Sequence, residues 1–482
     1  MQDQNTLAGS GLARLSAKEM LDGYRNGLFT PVDVVDAVID ALEDVDGRCN
    51  IVVTPMYDQA RKAAEAATAA WRDGAPTGPL CGVPVSVKDL IFVAGVPACA
   101  GSPAMKDHVP GADAAVVSAL QRAGAVMTCK TTTCEAGYKL TADSPLSGIT
   151  RNPWHLGRTS GGSSGGAAAG VAAGAGPLAL GTDAVGSIRV PASFCGVFGI
   201  KPTFGLVPRA PGFFPPSWGS LAHTGPIGRT VADTAALLEV LAGYDRRDAV
   251  SLPQPQRAFP AEAGPLEGLT IGYTEDFGYA AVAPAVRAAF RRTLGVLEGL
   301  GTRLVPDHPG LDPDILDSIL KPIGYTEQAS AVSDRSEALL ACSEDDFNAV
   351  VRQGRTYSGT DYMNATHRRA ILRGRFLSLF ERVDALLTPT VAVPAFAAGT
   401  LGVDQIDGKP VDPHLGWSPF SWPINLAGLP AASAPVGFDP DGLPIGLQVV
   451  APWLDEPVIL RIAAALEAAQ PWAGSWPGFR AP

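Results

Sequence analysis

RTSGGSSGGAAAG, residues Arg158–Gly170, sets two adjacent serines between two glycine pairs. Side chains this small bury little area, so the stretch is either a flexible spacer or a place where the backbone passes very close to something. The surroundings favour the second. The run continues as GGAAAGVAAGAG, which reads as a helix of small residues, and then as PLALGTD, which reads as a strand. Upstream, VPVSVKDLIFV is rich in β-branched residues and reads as a buried strand entering a loop. ADAAVVSALQRAG and AVMTCKT repeat the order helix, then strand. From about Leu269 the alternation resumes with LTIGYT, the helical APAVRAAFRRTLGVLEGLG, and TRLVP. This pattern predicts an α/β fold, a layered sheet with helices packed on its faces.

The flanks carry readable signals of their own. SAKEM places Ser16 three residues ahead of Glu19, the spacing of a capping box. TPVDVVDAVIDAL places Thr30 before Pro31, with Val35, Val38, Ile39 and Leu42 at helical spacing, and YDQARKAAEAATAAW is a third helix. Between roughly Asp312 and Arg382 the chain is mostly helical and more polar, as a cap over the sheet would be. VDALLTPTVAVPAF returns to a buried strand, and AASAPVGFDPDGLPIGLQVVAP reads as two strands joined by a turn at Asp439–Gly442.

Composition excludes several classes. With 46% hydrophobic and 18% charged residues among 482, the chain has the material for a large core. A net charge of −11 argues against nucleic acid as a partner, since phosphate binding needs clustered Lys and Arg. There is no apolar run of membrane-spanning length, and MQDQNTLAGSGLARLS lacks the basic start and apolar block of a signal peptide. The expectation is a soluble cytoplasmic protein with no membrane partner. Cys49, Cys81, Cys99, Cys129, Cys134, Cys195 and Cys342 form no C-x-x-C pair, so they read as free core thiols, with no metal site and no disulfide framework.

Three chemistries compete for the paired serines. A phosphate-cradling loop needs Gly-Lys-Ser/Thr, and no lysine follows here. A G-x-S-x-G nucleophile elbow is formally present twice, centred on Ser163 and on Ser164, but it needs a later acid and histidine. His223, His308, His367 and His414 follow in contexts without a catalytic pattern and read as surface or packing residues. The third chemistry enlists Lys88, whose ammonium at the end of an apolar run must be paired or deprotonated, and Ser187, in a small-residue turn with Asp183 and Arg189. Each has a bland alternative: an ion pair of Lys88 with Asp89, a helix cap at Ser187, and a tight helix entry at the glycines.

Taken together, GRTSGGSSGGAAAGVAAGAGPLALGTDAVGSIRVPASFCGVFGIKPT, GVPVSVKDL, NPW, GSPAMKDHVPGADAAVVSALQRAGAV, GPIGRTVADTAALL and PINLAGLPAASAPVGF resemble the amidase signature family. The resemblance runs from near residue 30 to near residue 470 and is weakest between about 245 and 380. It implies the family's fold, a large mixed β-sheet covered by helices on both faces, as one domain over 1–482. Within it lie N-terminal helices at about 12–72, a motif core at about 76–245, a more variable, partly helical cap at about 246–382, and a return to the sheet at about 383–470.

The same resemblance implies a Ser-Ser-Lys triad: Ser187 as nucleophile, Ser163 as the bridging serine held by a cis peptide bond, and Lys88 as base. For lysine to act as a base near neutral pH its pKa must fall by about three units, roughly 4 kcal/mol. Backbone N–H groups of Ala184, Val185, Gly186 and Ser187 are expected to form the oxyanion hole, with Ser164, Asp183 and Arg189 in support. The family usually carries glycine where this chain has Val185, a change expected to reshape the pocket. The implied reaction is acyl transfer without cofactor or metal. Its expected substrate is a small apolar or aryl amide, or alternatively a carbamate. Glutamine transfer is disfavoured because no carboxylate lies between Gly416 and Pro430. An inactive amidase-like binding protein is the remaining alternative, opposed by the joint presence of Lys88, Ser163 and Ser187. Aromatic and apolar residues expected at the pocket rim are Tyr138, Leu140, Phe213, Phe214, Trp218, Trp417, Phe420 and Trp422. Many relatives are dimers, which leaves a homodimer open.

Overall fold

The computed structural model describes residues 11–212, 221–253, 258–332 and 340–481. In chain order the strands are β1 (Val52–Pro55), β2 (Pro84–Lys88), β3 (Val126–Thr131), the short β4 to β7 (Asp143–Ser144, Gly148–Ile149, Arg151–Asn152, His155–Thr159), β8 (Leu178–Asp183), β9 (Phe198–Lys201) and β10 (His223–Gly228). They continue as β11 (Thr270–Tyr273), β12 (Arg303–Pro306), β13 (Ala385–Pro389), the short β14 and β15 (Gln405–Ile406, Lys409–Pro410), β16 (Ala431–Phe438) and β17 (Pro444–Val450). Eleven of them form one sheet in the order β1-β3-β2-β8-β10-β9-β16-β17-β13-β11-β12. The sheet is mixed. β2 runs parallel to β3 and β8, and β11 runs parallel to β12 and β13, while the pairs between these two groups are antiparallel.

Alternation along the strands builds a core on each face. On β8, Leu178 and Leu180 join the larger apolar cluster, whereas Ala179 between them joins the cluster of the helices Pro31–Cys49 and Gly165–Ala173. The helix Gly165–Ala173 is buried all round, which only small residues permit. A Cβ on Gly165 would come within 2.4 Å of the Ala142 side chain, and one on Gly166 within 2.3 Å of Thr132 Oγ1. The glycines therefore serve close approach, and the segment is no spacer.

Local signals behave as the sequence implies. Ser16 and Glu19 form a capping box at the helix Ala17–Arg25, as do Thr30 and Asp33 around Pro31. The turn at Asp439–Gly442 joins β16 to β17, with the Gly442 N–H donating to Asp439 O at 3.0 Å. The stretch from Asp312 to Arg382 contains the helices Lys321–Ala331, Asp345–Gly354 and Gly359–Phe380. All seven cysteines are free; six are buried, but Cys342 is exposed and so is no core thiol. Among the described residues, no helix is long and apolar enough to cross a membrane.

Candidate active site

β2 is buried along its whole length and ends at Lys88, which is 0% exposed. Its Nζ lies within hydrogen-bond distance of three hydroxyls, Ser163 Oγ at 2.7 Å, Thr182 Oγ1 at 2.8 Å and Ser164 Oγ at 3.0 Å. All of these side-chain partners are hydroxyls. Asp89, the next residue, is turned elsewhere: its Oδ1 lies 3.5 Å from Lys130 Nζ, and its Oδ2 accepts the Cys99 N–H at 3.0 Å. The ion pair that would have kept Lys88 charged does not form. Burial pushes the Lys88 amine down from 10.5 to about 7, against the weaker opposing pull of Cys134 and Asp183.

The serines arrive from the loop before the helix Gly165–Ala173. The Gly162–Ser163 peptide bond is cis, and Gly161 has a φ of 73°. A Cβ on Gly162 would sit 2.1 Å from Thr141 O, so the backbone touches its neighbour there. Ser164 ties this loop to two others. Its N–H donates to Ser187 O at 3.1 Å, and its Oγ donates to Thr182 O at 3.1 Å.

Ser187 precedes the helix Arg189–Cys195. That helix takes no side-chain cap, and Ser187 Oγ is buried without a hydrogen-bond partner among the described residues, so capping does not account for it. Ser187, Ser163, Thr182 and Ala184 line one cavity.

The turn between β8 and this helix is held by Asp183. Its carboxylate accepts the N–H of Gly186 at 2.8 Å and of Ile188 at 3.1 Å, and it pairs with Arg189 through Nε and Nη2, each at 3.0 Å. The expectation of four oxyanion donors is corrected here, because the Gly186 N–H is committed to Asp183. The N–H groups of Ala184, Val185 and Ser187 make no hydrogen bond to another described residue. Burial acts to raise the Asp183 carboxyl, but Arg189, Lys201 and Asn425 overcome it and hold it well below the ordinary carboxylate range. Arg189 also donates through Nη1 to Ser421 O at 2.9 Å and to Gln448 Oε1 at 2.7 Å, and Asn425 Nδ2 donates to Asp183 Oδ1 at 2.8 Å. The sequence reading missed Asn425 and Gln448; their signal was a lone amide in each of two otherwise apolar runs.

The cavity has two adjoining lobes. The first is walled by Leu90, Ile91, Ala114, Val116 and Ala136, with Arg209, His223, Thr224 and Gln328 as polar members beside the hydroxyls already named. The second shares Gly137, Ala184, Ala222 and Gln328 with it and adds Tyr138, Val185 and Tyr325. Tyr138 and Val185 both line the second lobe. Trp417 and Phe420 do not line either lobe. Trp417 stacks on Phe194 with ring centroids 5.9 Å apart and donates to Pro413 O, and Phe420 packs on Phe277 at 5.4 Å. Trp422 and Leu140 are likewise buried in the core. These rings satisfy each other, so nothing drives them to a substrate. Phe213, Phe214 and Trp218 lie outside the described residues. Of the two readings given for His223, surface or packing, the structure shows the second, since the ring is buried against Phe204, and it also lines the first lobe.

Comparison with known proteins agrees with this geometry. The sequence profile of the Amidase family matches residues 33–460. An acylamidase of Rhodococcus erythropolis is 33% identical over 473 residues, covering 96% of this chain and 97% of the relative. A glutamyl-tRNA(Gln) amidotransferase subunit from Synechococcus sp. is 36% identical, covering 93% and 96%. The crystal structure of a bacterial aryl acylamidase superposes with a TM-score of 0.89 at 31% identity, covering 95% of this chain and 97% of that one. With the family profile spanning most of the chain, and with the cis peptide bond and the buried lysine in place beneath it, the protein belongs to the amidase-signature family of Ser-cisSer-Lys hydrolases, which act on amide or carbamate C–N bonds.

Proposed function

We propose that this protein is a serine amidohydrolase that cleaves a small apolar or aryl amide through an acyl-enzyme on Ser187. One observation carries the reading: a fully buried lysine, lowered to about 7, has only hydroxyls as side-chain partners among the described residues, and two of them, Ser163 and Thr182, share a cavity with the unpartnered Oγ of Ser187. Neutral Lys88 accepts the Ser163 proton while Ser163 accepts that of Ser187, whose Oγ attacks the carbonyl carbon. Negative charge then develops on the carbonyl oxygen, and the N–H groups of Ala184, Val185 and Ser187 are the donors free to receive it. The C–N bond breaks as Ser163 passes a proton to the departing nitrogen and regains one from Lys88. Water, deprotonated by the same relay, attacks the ester and releases the acid.

The supporting residues fix this geometry. Ser164 and Thr182 hold Nζ in place, and the Asp183–Arg189 pair holds the turn that presents Ser187. The apolar wall of the first lobe suits an aryl or alkyl group. Against the likeness to an amidotransferase stands the lack of a carboxylate between Gly416 and Pro430.

The test is Ser187→Ala assayed beside the wild type on a 4-nitroanilide, its carbamate analogue and glutamine. Hydrolysis of the anilide falls at least about a thousandfold. Turnover of glutamine alone by the wild type overturns the substrate class.

A further inference from the structure

His223 opens β10 and is 3% exposed, with the Phe204 ring meeting it edge on at a centroid distance of 5.5 Å. Its Nδ1 lies 2.7 Å from Leu221 O and 3.2 Å from Asp183 O. Carbonyl oxygens only accept, so Nδ1 carries the proton and donates to them. In the neutral ring Nε2 then bears a lone pair and can only accept. That atom is buried and has no hydrogen-bond partner among the described residues, although the ring lines the first lobe together with Ser163, Ser187 and Ala184.

The surroundings keep the ring neutral. Burial is the largest cause, and Lys201 and Arg209 add to it against Asp183; together they lower the imidazole well below 6.5. Asn425 Nδ2, 3.5 Å from Nδ1, already donates to Asp183 and to Leu221 O, so it leaves the tautomer unchanged. The result is a fixed acceptor in a lobe whose wall combines apolar side chains with the hydroxyls of Ser163, Thr182, Ser187 and Thr224, and with Arg209 and Gln328.

We propose that His223 is a specificity residue whose Nε2 accepts the N–H of the scissile amide or carbamate, selecting substrates that carry this hydrogen over esters and N,N-disubstituted amides. The inference rests on the reading of this cavity as the hydrolytic site. It has a chemical consequence at the nitrogen. When the carbonyl carbon becomes tetrahedral the nitrogen becomes pyramidal, and its lone pair must be open to the proton from the relay. An N–H tied to Nε2 directs the lone pair away from the ring and leaves it free for that transfer.

Two substitutions separate the two ends of the ring. His223→Asn keeps an N–H near the place of Nδ1 and removes the Nε2 acceptor; His223→Gln puts an amide near the place of Nε2. Each is assayed with a 4-nitroanilide, its N-methyl derivative and the 4-nitrophenyl ester of the same acid. His223→Asn lowers the anilide-to-ester ratio of kcat/KM by about tenfold to a hundredfold, the cost of leaving a buried acceptor or its donor unpaired. The N-methyl-to-ester ratio and the ratios of His223→Gln stay within about threefold of wild type. Equal loss of anilide and ester activity in His223→Asn, or no change in either, overturns the proposal. Persistent activity in Ser187→Ala is a separate outcome and overturns the reading of the site itself.

Discussion

Thr182 and Asp183 are neighbours on β8, and alternation along a strand sends their side chains to opposite sides. Each meets a fully buried cation. Thr182 meets Lys88, held by hydroxyls, and Asp183 meets Arg189, held by a carboxylate in a two-pronged pair. Burial is the same on both sides; the partners differ. A hydroxyl cannot compensate a buried charge, so the lysine gives up its proton near neutrality. A carboxylate compensates it well, so the Asp183–Arg189 pair serves as a brace. Neighbouring residues of one strand thus partner a reactive base from β2 and an ion-paired arginine from the following helix, and the chemistry of the partner differs between them.

Removing either cation tests that division. Lys88→Met deletes the base, and kcat/KM falls by at least about a thousandfold, measured with a 4-nitroanilide. Its fold survives, because Ser164 Oγ keeps its backbone partners at Thr182 and the other two hydroxyls lose a neutral partner, with no buried charge left uncompensated. Arg189→Met leaves the Asp183 carboxylate buried with its charge uncompensated, which destabilises the protein by about 3–5 kcal/mol in urea unfolding. The division breaks if Lys88→Met costs as much folding stability as Arg189→Met.

The two sides were not equally legible in the sequence. The alternation of strands and helices, the caps at Ser16 and Thr30, and the turn at Asp439 follow from local chemistry, and the fold shows them. Lys88, Ser163 and Ser187 stood out because each breaks a pattern: a charge ending an apolar run, and serines among glycines. The fate of Asp89 was hidden, since its partner Lys130 comes from the neighbouring strand β3. Asn425 and Gln448 were hidden for the same reason, since they reach Arg189 from more than 200 positions away in sequence. Aromatic content misled at Trp417 and Phe420: a ring is equally at home in a core and in a pocket, and only packing decides. The packing role of His223 was legible, but which of its ring nitrogens is already bonded was not, since that is a property of the folded backbone alone.

The most graded contrast between the two cations is in pH. Lys88 must be neutral to act, so with a folded pKa of about 7 the rate falls tenfold per unit as the medium is acidified below that value and is level above it. Stability carries the same pKa with a definite sign. Below about 7 the folded state holds a buried ammonium while the unfolded chain holds a hydrated one, so the full penalty applies. Between about 7 and 10.5 only the unfolded chain remains protonated, and the penalty shrinks by about 1.4 kcal/mol per pH unit. Wild type therefore gains stability relative to Lys88→Met as pH rises through this window. The Asp183 carboxyl behaves in the opposite region, since its depressed pKa stabilises the fold above the ordinary carboxylate range and is lost on acidification. Measuring both profiles on the same two proteins ties them together. A rate limb near 7 accompanied by a flat stability difference would mean that some group other than Lys88 gates the reaction.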